Sequence, residues 1–206
     1  MKRRTNHLIG ILFVGTLLAN SACSQFSPEV EEANKHPTTL MILAEDFQFP
    51  NGWVIRNRKG SIGKHILKAS GEGLDALTAI DIPRKGTYYV WAKAVDFTQH
   101  SPGRRRYTVA VNNERLPGEA GQHGHDGWAW ENLGEIEIQK GEAALSLVDI
   151  THYFARCDAV LLTTDASLDP NSITDQEFSS FRIEPLIKEV ENNSVDKNWK
   201  FLKNYK

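Results

Sequence analysis

From Thr39 to Thr164 the chain is a succession of short segments rich in β-branched and aromatic residues, separated by Gly, Pro, Asn and Asp. Helical periodicity is absent there and alternation with period two takes its place, which restricts the fold more than any other feature. Tyr88, Val90 and Ala92 alternate with Tyr89, Trp91 and Lys93 after the turn signal Pro83-Arg84-Lys85-Gly86. Tyr107, Val109 and Val111 alternate with Arg106, Thr108 and Ala110 before Asn112-Asn113. Each run reads as a strand with one buried face. Ile136 and Ile138 pass through Lys140-Gly141 into Leu145 and Leu147, predicting an antiparallel hairpin that turns at the glycine. Ala159 to Leu162 supplies a closing apolar strand. A single sheet of this composition needs a second layer to bury its apolar faces. The expected architecture is therefore all-β, an antiparallel β-sandwich with a jelly roll as first choice, followed by short C-terminal helices or a tail.

Both ends depart from this pattern. Residues 1–22 read as a signal peptide: Lys2, Arg3 and Arg4, an apolar run from Leu8 to Ala19, then Ser21-Ala22 before Cys23. The run is shorter than the ~20 residues that span a bilayer. Small residues before a cysteine resemble the lipobox of bacterial lipoproteins, in which Cys23 becomes the lipidated N-terminus. Asn20 stands where lipoboxes carry leucine, and cleavage by signal peptidase I after Ser21 or Ala22, with simple secretion, is the alternative. The expected location is outside the cytoplasm, membrane-anchored in the periplasm or at the cell surface, or secreted. Residues 23–38, polar with Glu29, Glu31, Glu32 and two prolines, suit a flexible tether. The sandwich spans 39–165, and 166–206 form a partly helical appendage. In that appendage Asp169-Pro170-Asn171 is a turn, Thr174 to Glu177 fits a helix capping box, and Pro185 opens Leu186 to Glu191. The final lysines, Lys197, Lys200, Lys203 and Lys206, surround Trp199, Phe201 and Tyr205, a tail suited to docking on the sandwich or on a partner.

A formal charge of −2 and the lack of a basic face argue against nucleic acid as a partner. The chain has two cysteines. With Cys23 consumed by cleavage or lipid, no intrachain disulfide remains. Cys157 opens an apolar run and reads as a small buried hydrophobe.

In order, the chain presents Leu43-Ala44-Glu45-Asp46-Phe47, Gly86 to Lys93, Trp128-Ala129-Trp130, the segment Gly134 to Leu147, and Cys157-Asp158-Ala159-Val160-Leu161-Leu162-Thr163. Over residues 40–165 this series resembles the galactose-binding-like β-jelly rolls related to carbohydrate-binding families 6 and 35. The resemblance implies glycan binding and implies little about catalysis. It also implies a structural calcium held by acidic side chains of the first and last strands, at positions matched here by Glu45 and Asp158. Leu43 replaces the first glutamate of that pattern, which removes one charged oxygen. The alternative is that both carboxylates bond backbone groups where the terminal strands meet.

Sugar sites pair aromatic platforms with planar hydrogen-bonding groups. The chain concentrates such residues at His100, Arg104, Arg106, His123, His125, Trp128 and Trp130, with Tyr153 beside the last strand. Trp128 and Trp130 share a face of one strand and are either platform or core. Alternation sends Arg105 to the opposite side from Arg104 and Arg106, so at most two of the three serve one site. The expected ligand is an acidic polysaccharide or oligosaccharide, recognised through guanidinium contacts to carboxylate or sulfate. Glycan-degrading enzymes or importers on the same membrane are the expected associates. Two other readings stay open. One is a jelly-roll polysaccharide lyase in which Arg neutralises a uronate while His or Tyr takes the carbon-bound proton. The other is a structural or protein-binding lipoprotein that works through the tail.

Overall fold

The computed structural model describes residues 36–186. The expected signal peptide at 1–22, Cys23 with its expected lipid, nearly all of the expected 23–38 tether and the tail beyond 186 lie outside the described residues. Among the described residues ten strands form two antiparallel sheets. They are β1 (Thr39–Leu43), β2 (Trp53–Asn57), β3 (His65–Ala69), β4 (Ala76–Ile82), β5 (Gly86–Asp96), β6 (Tyr107–Val111), β7 (Glu114–Arg115), β8 (Gly127–Ile138), β9 (Gly141–Asp149) and β10 (Arg156–Thr163). The first sheet runs β2-β3-β10-β5-β8, with β1 also paired to β10, and the second runs β4-β9-β6-β7.

Alternation sorts the layers as the sequence predicts. Tyr88, Val90 and Ala92 of β5 and Val160 and Leu162 of β10 meet Tyr107, Val109 and Val111 of β6 and Leu145 and Leu147 of β9 in the main core. Asn112 and Asn113 both have positive φ, 50° and 71°, and join β6 to β7 through a two-residue turn that matches strand twist. Trp53 begins β2, is buried, and donates through Nε1 to the Leu74 carbonyl at 2.8 Å. Cys157 is buried in β10, and burial drives its thiol pKa well above the usual range.

The expected Ile138–Gly141 hairpin does not form. β8 pairs with β5 in one sheet while β9 pairs with β4 and β6 in the other. The glycine turn at Gly141, φ 109°, therefore arches from layer to layer. Ile136, Ile138, Leu145 and Leu147 still share the core because they face one another across it.

β10 carries β5 along one flank. On the other, β3 pairs only with Arg156 and Cys157, and β1 takes over from Ala159 to Thr163. Asp158 sits at that junction, where the β5 register also shifts.

The segment after Asp165 packs onto the sandwich. Met41 of β1 donates to the Phe181 carbonyl at 2.7 Å and accepts from Ile183 at 2.8 Å. Thr174 and Glu177 form the expected capping box, opening the short helix α1 (Asp175–Phe178). Phe178, with Phe181, Leu168 and Ile173, covers Met41, Leu43, Trp130 and Leu161 in a second apolar cluster on the outer face of the first sheet.

Candidate ligand site at the loop edge

Antiparallel pairing gathers the chemistry at one end of the sandwich. Asp96 at the end of β5 pairs with Gly127 at the start of β8, and Tyr107 at the start of β6 pairs with Asp149 at the end of β9. Loops 97–106, 116–126 and 150–155 therefore emerge together. Asp96, 2% exposed, ties two of them: Oδ1 accepts from Phe97 N at 2.7 Å and Gly103 N at 3.0 Å, and Oδ2 from Gly124 N at 3.2 Å. Burial pushes its carboxyl up, but the three N–H donors and the nearby His123 outweigh that and hold it below the usual range. Glu131 performs the same task on β8, accepting from Gly121 N at 2.5 Å and Gln122 N at 3.2 Å. At Gly121 the backbone passes so close to the Arg105 carbonyl that a Cβ would lie 2.3 Å from that oxygen, so only glycine fits this seam.

Thr151 clips the third loop in place. Its Oγ1 accepts from Arg106 N at 3.1 Å and donates to the Arg104 carbonyl at 2.7 Å. Tyr153 stands between His152 and Phe154, whose φ values of 51° and 56° place both in the left-handed region that side chains seldom occupy. The result is a cleft of about 350 Å³ lined by Gly103, Arg104, Arg106, Ile150, Thr151 and Tyr153. The Arg104 guanidinium lies 4.4 Å from the Tyr153 ring centroid. A hydrogen bond at 3.4 Å between Tyr153 and Ser101 lowers the phenol pKa, assisted by the Arg104 and Arg105 charges and opposed by partial burial.

The candidate residues separate accordingly. Arg104, Arg106 and Tyr153 meet in the cleft, although Arg106 spends one Nη on Glu119 at 2.7 Å. His100 is exposed on the same loop, where its carbonyl accepts from Arg105. His123 and His125 stack on each other at 5.9 Å on the neighbouring loop and do not line the cleft. Trp128 is half-buried, its Nε1 donating to the Lys59 carbonyl at 3.1 Å. Trp130 is not a platform: it is 5% exposed and packs on Phe178 with ring centroids 5.3 Å apart. Asp96 and Thr151, beside strand ends, and Glu131, within β8, build the edge and carry no local sequence signal beyond being polar.

Glu45 and Asp158 anchor loop 58–64 and its junction with β3. Glu45 Oε2 accepts from His65 N at 2.6 Å and pairs with His65 Nδ1 at 2.8 Å. Asp158 Oδ2 accepts from Ile62 N at 2.8 Å, with the Lys93 ammonium 3.6 Å away. A calcium ion wants six to eight oxygens, whereas these carboxylates face N–H groups and a fixed cation. Among the described residues no three His, Cys, Asp or Glu side chains gather in a way that would hold a metal. The residues present do not fit calcium, even though Asp158 Oδ1 is buried without a partner.

Burial pushes the Asp158 carboxyl up from 3.8 to about 6, against the pull of the Ile62 and Gly63 N–H groups and Lys93. A carboxyl raised on folding binds its proton more tightly in the folded state. Its stabilising effect is then complete below the unfolded value and is lost as pH rises through the folded one. Unfolding free energy should fall by about 2–3 kcal/mol on this account between pH ~4 and ~6. Asp158→Asn should remove that component in urea titrations across the interval. An unaltered profile in the variant would show that Asp158 is not the group responsible.

No family model matches the chain, and no curated protein matches it. Solved structures do. A GH26-CBM35 β-(1,4)-mannanase from Podospora anserina aligns with a TM-score of 0.53 at 19% identity, over 66% of this chain and 30% of that one. The C-terminal CBM6 of LamC, a marine laminarinase from Zobellia galactanivorans, aligns with a TM-score of 0.50 at 16% identity, over 62% of this chain and 100% of that one. An exo-β-1,3-galactanase from Phanerochaete chrysosporium, solved with galactose, gives 0.50 at 16% identity, over 61% and 29%. The chain thus spans under a third of the mannanase and galactanase chains and the whole of the separate module. At these identities the likeness is one of fold: the described domain is a β-jelly-roll sandwich, a fold it shares with carbohydrate-binding modules of families 35 and 6.

Proposed function

We propose that this protein binds an acidic polysaccharide through the cleft at Arg104, Thr151 and Tyr153. The observation that carries the reading is the Arg104–Tyr153 stack within that cleft. An aromatic ring beside a guanidinium without an ion-pair partner among the described residues offers a sugar face and a carboxylate or sulfate partner together. Residues around Phe178 cover the first sheet's outer face at Met41, Leu43, Trp130 and Leu161. The carbohydrate-binding modules that share the fold support glycan binding in general. Export, a lipid on Cys23 and cooperation with glycan-degrading enzymes or importers belong to this proposal and rest on the N-terminal sequence.

Arg104→Ala and Tyr153→Ala should each weaken binding to polygalacturonate about tenfold or more, since a hydrogen bond to a charged group is worth ~1.5–3 kcal/mol. Thermal unfolding should stay nearly unchanged, because both side chains lie at the surface of the cleft. Equal affinity in wild type and both variants would remove the cleft from recognition.

The Arg104–Tyr153 pair in the cleft carries one second reading, a lyase. Arg104 would neutralise a uronate carboxylate while the Tyr153 oxygen takes the adjacent carbon-bound proton. The C–H electron pair becomes a C=C bond, and the glycosidic oxygen leaves and is protonated. Incubation with polygalacturonate that generates unsaturated ends, lost in Tyr153→Phe, would place this reading first.

A further inference from the structure

Three guanidinium groups converge on one ring. Phe97, the first residue after β5, has Arg58 at 4.9 Å, Arg105 at 4.5 Å and Arg156 at 4.8 Å from its centroid. They come from three separate segments: the loop after β2, the β5–β6 loop and the first residue of β10. Lys68, 4.5 Å from the Phe154 ring, adds a fourth cation whose pKa is lowered by burial first and by Arg156, Arg56 and Arg105 in turn. None of these four forms an ion pair among the described residues. The attraction of an aromatic face does not neutralise three full charges. Burial, with Arg105 and Arg58 beside it, pushes the Arg156 guanidinium down to about 10. Arg105 Nε and Arg156 Nη1 are buried without an acceptor.

Buried donors are almost always satisfied, so such orphans call for a partner that the described residues do not supply. We propose that Arg58, Arg105 and Arg156 around Phe97 form a second subsite, for an anionic oxygen group, a sulfate ester or a carboxylate, on the same polysaccharide that enters the Tyr153 cleft. This inference rests on the proposed function and deepens it. Arg105 joins the two subsites, lying 4.5 Å from the Phe97 centroid and 5.5 Å from that of Tyr153. A polymer with charges repeated along it engages both, and the planar forks of arginine match the oxygens of either group.

The test uses the full chain and the double variant Arg58→Gln with Arg156→Gln, which leaves the Tyr153 cleft intact. Polygalacturonate, dextran sulfate and neutral dextran are compared by affinity over a range of salt. The double variant should bind its acidic polymer at least about tenfold more weakly, with a flatter salt dependence, and neutral dextran should bind neither protein. Preference for dextran sulfate assigns the subsite to sulfate esters, and preference for polygalacturonate assigns it to carboxylates. Sodium sulfate, compared with sodium chloride at matched ionic strength, probes the subsite without any glycan: sulfate stabilises any fold by exclusion, so the Tm of the wild type should rise by more than that of the double variant. In chloride the double variant should melt at the wild-type temperature or above, since like-charge repulsion has been relieved, so weaker binding is not misfolding. Unchanged affinity and salt dependence in the double variant, with no sulfate-specific rise in the wild type, overturn the subsite. A wild type that binds neither acidic polymer yet gains more Tm in sulfate than the double variant overturns the proposed function while supporting the subsite.

Discussion

Trp130→Ala should lower the unfolding free energy by about 3–5 kcal/mol, the usual cost of truncating a buried tryptophan, while Trp128→Ala two residues earlier should cost within about 1 kcal/mol. Both side chains point to the same outer face of β8, and what differs is the cover. Trp130 lies beneath Phe178 and beside Met41, Leu43 and Leu161. Trp128 lies against the backbone of loop 58–64, held by one hydrogen bond to Lys59 and contact with Gly60. Removing Trp130 opens a cavity and frees the C-terminal segment that Met41 also holds by two backbone bonds. Urea unfolding of both variants measures the difference. Similar costs for the two would mean that the segment after Asp165 does not cover this sheet.

Asp96→Ala should be the most damaging change at the loop edge, costing about 3 kcal/mol or more. It leaves three backbone N–H groups, on Phe97, Gly103 and Gly124, without their acceptor in a buried position, and each such loss costs ~1–3 kcal/mol where water cannot replace the bond. Loops 97–106 and 116–126 should then separate, with faster amide exchange confined to them, and acidic polysaccharide binding should fall with the misplaced Arg104. Asp96→Asn keeps one acceptor oxygen and should lie between the two. Stability and exchange equal to wild type in Asp96→Ala would show that the loops hold their positions without this carboxylate.

Strand identity was legible because alternation is local: Tyr88, Val90 and Ala92 lie inside and Tyr89, Trp91 and Lys93 outside, as their spacing requires. Sheet membership was not. The Ile138–Gly141 segment satisfies a hairpin and an arch equally well, because in both the apolar residues of β8 and β9 face one core. The capping box at Thr174 was readable from four residues, but the docking of Phe178 on Trp130 depends on a contact across 48 positions and left no local trace. The site shows the same division. Arg104, Arg106 and Tyr153 stood out by residue type and loop context and do share a cleft. Arg58, Phe97 and Arg156 are scattered along the chain, and only the meeting of β2, β5 and β10 brings them together. Asp96 was visible merely as an acidic residue, since its work is done through the backbone of loops it does not belong to.

The most direct measurement is an amide and side-chain shift map of the isotopically labelled protein titrated with a galacturonate oligosaccharide. The account predicts saturable shifts centred on Arg104, Thr151 and Tyr153 and reaching Arg105 and Phe97. Shifts centred on the opposite end of the sandwich, or none at saturating oligosaccharide, would contradict it.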